Sequence, residues 1–115
     1  MPWPLTPEQV FLATEALDMR MGVERLSQYV EHSLGRRPTD GSAYAFCNRS
    51  GNRLKLLIWD GNGVWLSVRR LHKGRFVWPS AGEALCTLSA NDWHWLISGI
   101  DWQRVHSQPS AAWQV

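Results

Sequence analysis

The chain has 115 residues, 44% of them hydrophobic, with 12 Lys and Arg against 10 Asp and Glu. That is the size of one domain, large enough to bury a core without a disulfide or zinc staple and too apolar for a disordered chain. No run reaches the roughly 18 apolar residues of a membrane span, the stretch from Met1 to Arg20 lacks the basic-then-apolar pattern of a secretory signal, and Cys47 and Cys86 form no CxxC, so reduced thiols in a cytoplasmic protein are expected.

Two features stand apart. Eight Trp is a heavy load for this length. The net charge of +2 conceals an uneven distribution, because residues 36–75 hold nine Arg and Lys against two Asp, between acidic flanks. A basic middle between acidic ends points to an anionic partner bound at one place, or to a solvated charged sheet face.

Along the chain, Thr6-Pro7-Glu8-Gln9 has the form of a helix start with a capping box, but the following Val10-Phe11-Leu12 reads as a short strand, and the strand is the preferred reading. Residues 22–34 form a helix: Val23, Leu26, Val30 and Leu34 make one apolar stripe and Gly35 supplies the stop. A loop through Pro38 and Gly41 follows. Residues 43–49, 53–59 and 64–70 then alternate as three strands joined by Ser50-Gly51-Asn52 and Gly61-Asn62-Gly63, read as three-residue hairpin loops.

With Arg49 opposite Arg53 and Asp60 opposite Val64, one face of this meander collects Tyr44, Phe46, Leu54, Leu56, Ile58, Val64, Leu66 and Val68, a core face. The other face collects Arg49, Arg53, Lys55, Trp59, Trp65 and Arg69. A slip of one residue would set Lys55 beside Val68 and mix the two sets. Short strands are expected at Phe76-Val77-Trp78 and at Ala84–Leu88. Ser89 caps a second helix, with Asp92 at N3 and Trp93, Leu96, Ile97 and Ile100 on its apolar side. Trp93 and Trp95, two apart, cannot both face the core. The expected class is α+β: a small antiparallel β-meander with two helices packed on one face, a single compact domain over 1–104 and a flexible tail over 105–115.

No nucleophile, acid–base or metal-ligand constellation emerges. Asp18 sits where a helix cap is usual, Asp60 in a turn and Asp101 after a helix end, while His32, His72, His94 and His106 are scattered. No cofactor or metal is expected, and an enzyme is disfavoured. The basic, Trp-bearing sheet face is the leading candidate site: cations neutralise phosphates and indoles stack on unpaired bases. The competing interpretation pairs Trp59 with Trp65 across the strands under draped Arg and Lys stems. About five contacts on duplex DNA would give a salt slope of roughly −4 to −5.

Several blocks carry a family resemblance: Asp18-Met19-Arg20-x-Gly22; Asn48-Arg49-x-Gly51-Asn52-Arg53 running on to Leu56-Leu57-Ile58-Trp59-Asp60-Gly61-Asn62-Gly63; Arg69-Arg70-Leu71; Lys73-Gly74-Arg75-Phe76-Val77-Trp78-Pro79; and Gly99-Ile100-Asp101-Trp102. Over about residues 10–104 the chain resembles the small TnpB accessory-protein family of insertion-sequence-66 elements, which is not the long RNA-guided nuclease of the same label. The resemblance implies a bacterial, non-enzymatic protein of DNA transposition that acts beside a separate DDE-type transposase and another element-encoded accessory protein. On this reading Arg49, Arg53, Lys55, Arg69, Lys73 and Arg75 contact phosphates of the nucleic acid, either element ends or a single-stranded intermediate, Trp59 and Trp65 stack on bases or clamp the Arg side chains, and Arg20 and Trp78 border the site. The alternative is a protein-interaction subunit that docks on the transposase without touching DNA.

Overall fold

A computed structural model describes residues 9–80 and 82–107. The elements are β1 (Gln9–Ala13), α1 (Val23–Ser33), β2 (Ala43–Cys47), β3 (Arg53–Trp59), β4 (Val64–Arg70), β5 (Leu85–Ser89), α2 (Ala90–Ile97) and α3 (Trp102–Ser107). They form one five-stranded sheet in the order β4-β3-β2-β1-β5. β1 runs parallel to β2 and every other neighbouring pair is antiparallel, so the α+β class holds with a mixed sheet. Trp3, Trp113 and residues 6–8 of the helix-start motif lie outside the described residues, while Val10-Phe11-Leu12 is the strand preferred above.

Local chemistry sets the helix ends. Leu26 and Val30 bury the stripe of α1. Gly35 adopts φ +67°, which lets the Arg36 N–H reach back to the Val30 carbonyl at 3.2 Å and stop the helix. At the start of α2 the Ser89 hydroxyl oxygen accepts from the Asp92 N–H. At the start of α3, Asp101 accepts from the N–H groups of Gln103 and Arg104. Asp18 does not cap α1, whose N-cap is Gly22 with no side-chain bond.

The helices divide between the two faces of the sheet instead of sharing one. On one side α1 and the chain leading into it cover Phe11, Tyr44, Phe46 and Leu57. On the other, α2 and the segment after β4 cover Val10, Leu12, Ala43, Ala45, Leu54, Leu56, Ile58 and Leu88, with Phe76, Trp93 and Leu96 among the buried side chains. Strands buried on both faces are apolar at consecutive positions, and the five residues of β2, Ala-Tyr-Ala-Phe-Cys, are all buried.

The hairpin register differs by one residue from the alternating pattern. Phe46 pairs with Lys55 and Tyr44 with Leu57; Trp59 pairs with Val64 and Lys55 with Val68. The loops run 49–52 and 60–63, each one residue longer than expected, because the side chains of Asn48 and Asp60 fold over them and accept backbone N–H groups from their far ends. The supposed core face is therefore split between two buried faces. The segment at 76–78 is not a strand. It is an extended strap tied down by the Phe76 N–H on the Gly51 carbonyl and by the Trp78 indole N–H on the Ala13 carbonyl. α3 takes in 105–107, the first residues of the expected tail.

Candidate nucleic-acid interface

At the end of the sheet where β1 and β2 finish, three loops converge. The chain after β1 is anchored by the Leu17 N–H on the Cys47 carbonyl. The β2–β3 loop is organised by Asn48, whose side-chain oxygen accepts from the N–H groups of Asn52 and Arg53 while its amide donates to the Asn52 side chain at 2.9 Å. The chain after β4 then closes over that loop, with the Leu71 N–H on the Asn52 carbonyl at 2.9 Å and the Phe76 N–H on the Gly51 carbonyl at 2.8 Å. Gly51, at φ +75°, makes the turn, and Arg75 packs its aliphatic stem where a Gly51 side chain would point.

These loops enclose an open cleft of about 610 Å³ lined by Ala16, Leu17, Asp18, Met19, Arg20, Asn48, Arg49, Asn52 and Arg53. A second hollow of about 300 Å³ continues from it, sharing Ala16, Asn48 and Arg49 and adding Arg75, Trp78 and Pro79. Among the described residues lining the two, Asp18 is the one acid. It grips Arg20 through both carboxylate oxygens, with the Arg20 Nη2 at 2.6 Å and the backbone N–H of Arg20 at 2.8 Å. Those hydrogen bonds hold the Asp18 carboxyl down at about 2, so it stays ionised and keeps the Arg20 guanidinium pointed. Arg49, Arg53 and Arg75 are exposed. A groove of this shape and sign suits an extended polyanion, since arginine forks match phosphate oxygens.

The expected site residues thus separate. Arg20, Arg49, Arg53 and Arg75 come together with Trp78 at one end. Lys73 is exposed on the same strap. Lys55 and Arg69 are in use elsewhere. The Lys55 ammonium donates to the Met21 carbonyl at 2.8 Å just before α1, and the Arg69 Nε donates to the Ile97 carbonyl at 2.7 Å in the last turn of α2, where a cation meets the negative end of the helix.

Trp59 and Trp65 lie on opposite faces, since Trp65 pairs with Ile58, the neighbour of Trp59. Trp59 is six residues of strand, about 20 Å, from Arg53, and Trp65, opposite Ile58, is about 17 Å away along the strand direction. The Trp59 indole donates to Ser27 on α1 and the Trp65 indole to Asp60. The basic, Trp-bearing sheet face therefore does not exist as one surface. What pattern reading missed was the organising role of Asn48, Asn52 and Asp18. The signal was present as Asx residues spaced about Gly51, and turns use that chemistry.

Among the described residues no helix is long and apolar enough to cross a membrane, and no group of three His, Cys, Asp or Glu side chains is placed to hold a metal ion. Residues 8–107 match the family described as IS66 Orf2 like protein. Two relatives in Sinorhizobium fredii are similar over most of both chains. Uncharacterized protein y4hO is 40% identical, covering 92% of this chain and 89% of its own. Uncharacterized protein y4jC is 31% identical, covering 88% and 86%. No solved structure matches.

Proposed function

This chain belongs to the IS66 Orf2-like family of transposition-associated proteins, and on that premise we propose that it serves transposition as a non-enzymatic accessory protein that holds nucleic acid in the arginine cleft at the end of its sheet. The supporting observation is the convergence of Arg20, Arg49, Arg53 and Arg75 from three separate loops around one open groove in which Asp18 is the acid among the described lining residues. The arginines act on the backbone, so they supply affinity and register and carry little sequence information. Sequence choice then falls to the transposase of the element, the partner this family membership implies.

The test is fluorescence anisotropy with labelled element-end DNA, duplex and single-stranded, over a salt series. Four arginine contacts give a slope of about −3 to −4. The triple variant Arg49→Ala, Arg53→Ala, Arg75→Ala removes most of that slope, while Arg37→Ala in the distant loop leaves it in place. Absence of binding by both DNA forms at low salt, or equal loss with Arg37→Ala, rejects the proposal.

A second reading rests on a different surface. On α2, Trp93 is buried and Trp95 is 37% exposed, near Ile100 at 41%. Exposed indoles of this kind anchor protein interfaces, which supports docking on the transposase. Co-purification of the two proteins that survives nuclease treatment and is lost in Trp95→Ala identifies this mode.

A further inference from the structure

β4 is one of the two outer strands of the described sheet, β5 being the other. Its pairing with β3 runs without a bulge through all seven residues, and it contains no Pro, so it lacks two of the usual devices that blunt an edge. Among the described residues, three of the five exposed large apolar side chains, Val64, Trp65 and Val68, lie on it, with Val68 62% exposed. The strand is also polarised end to end. Val64 and Trp65 open it, with the Asp60 carboxylate held against the Trp65 indole N–H at 2.9 Å, and Arg69 and Arg70 close it.

We propose that β4 pairs with β4 of a second copy of this chain, antiparallel and centred on Ser67, joining two sheets into one. The occupant follows from complementarity. That register uses every residue of the strand and sets Val64 opposite Arg70, Trp65 opposite Arg69 and Leu66 opposite Val68 of the second copy, with Ser67 opposite Ser67. Each guanidinium of Arg69 lies over an indole, a favourable cation–π placement. It also lies beside the carboxylate of Asp60, using donors left after its one bond to Ile97. A parallel pairing in the same register would instead stack Arg69 on Arg69 and Arg70 on Arg70, and like charges directly opposite are destabilising. The contact is isologous and closes on itself, as a two-fold dimer requires. The two-fold axis sends the two arginine clefts to opposite ends of the joined sheet, so pairing and nucleic-acid binding are separable.

Sedimentation velocity on the full chain across a broad concentration range tests the proposal. A monomer–dimer equilibrium is expected. Val64→Lys sets an ammonium opposite Arg70 at both ends of the paired strands, Val68→Lys sets one opposite Leu66, and together they weaken the dimer about tenfold or more, with far-UV circular dichroism unchanged because both positions are exposed. In a Cys86→Ser background, Ser67→Cys sits opposite its own copy within disulfide range and oxidises rapidly to a covalent dimer, while Asn62→Cys in the adjoining turn does not. A monomer at every concentration overturns the proposal, as does a dimer indifferent to the lysines, or a Ser67→Cys chain that cross-links no faster than Asn62→Cys. A chain that stays monomeric and loses transposase binding in the double lysine variant also overturns it, and assigns the edge to a foreign strand instead.

Discussion

The two hairpin loops of this protein share one turn chemistry and differ in what is built on it. In both, an Asx side chain folds across the turn and accepts two backbone N–H groups, from Asn52 and Arg53 onto Asn48 and from Asn62 and Gly63 onto Asp60. Both have a glycine at positive φ, Gly51 at +75° and Gly61 at +102°. The 60–63 loop stands in solvent. The 49–52 loop is half-buried at Gly51 and Asn52 because two later stretches of chain bond to their carbonyls, and it carries Arg49 and leads into Arg53. A turn becomes a platform for a site when other segments use its outward backbone groups, and a platform used in this way has to hold its shape, which the amide network provides.

The largest effect expected from this contrast is on stability. Asn48→Ala leaves the Asn52 side chain and two N–H groups without their partner in a half-buried setting, and costs about 2 kcal/mol. Asp60→Ala removes a similar number of bonds in full solvent, where water replaces them, so its shift in urea midpoint is smaller. Equal shifts would show that the extra packing on the 49–52 loop does not matter energetically.

The next effect separates backbone from site. Gly51→Ala and Gly61→Ala both force an L side chain into left-handed backbone, and each costs about 1 kcal/mol. In thermal melts the two are near equals. In the anisotropy assay they part: Gly51→Ala disturbs the loop bearing Arg49 and Arg53 and the packing of Arg75, and lowers affinity, whereas Gly61→Ala leaves binding as it was. A loss of binding with Gly61→Ala would place the nucleic acid somewhere other than the arginine cleft.

The same contrast explains what could be read from the sequence. Helices 23–33 and 90–97, the Ser89 cap, the Gly35 stop and the strand at 85–89 follow from local signals. The register did not, because the alternating pattern assumed a single core face, whereas Leu54, Leu56 and Ile58 turn to one buried face and Leu57 to the other, with the Asx-organised loops setting the pairing. A slip of one residue moves every side chain to the other face, which is why Trp65 and Arg69 part from Arg53, Lys55 and Trp59; Arg20, Arg49, Arg53 and Arg75 gather at an end of the sheet because they lie in or next to its loops. Nor could local pattern show that Lys55 and Arg69 are taken by carbonyls beside α1 and in α2, or that the Trp59 and Trp78 indoles find partners, since those partners are distant in sequence. The parallel placement of β1 between β2 and β5 is likewise a long-range event.

The smallest and most specific effect concerns the two carboxylates. Asp18 titrates at about 2 because Arg20 bonds its charged form, and Asp60 is also lowered, chiefly by the Trp65 indole N–H. A folded-state value below the unfolded one stabilises the protein above the unfolded value near 4 and loses that stabilisation as pH falls toward 2. Asp18→Asn and Asp60→Asn each flatten the fall of the urea midpoint over that window and leave its pH dependence unchanged near neutrality. Their consequences for binding differ. At neutral pH Asp18→Asn removes the acid that offsets the arginines, so affinity for DNA rises while the salt slope, which already counts Arg20 among the four contacts, stays as it was; Asp60→Asn, at the other end of the sheet, changes neither. If Asp18→Asn weakened binding instead, the clamp that aims Arg20 would matter more than the charge it subtracts, and Asp18 would be a positioning residue for the phosphate and not its competitor.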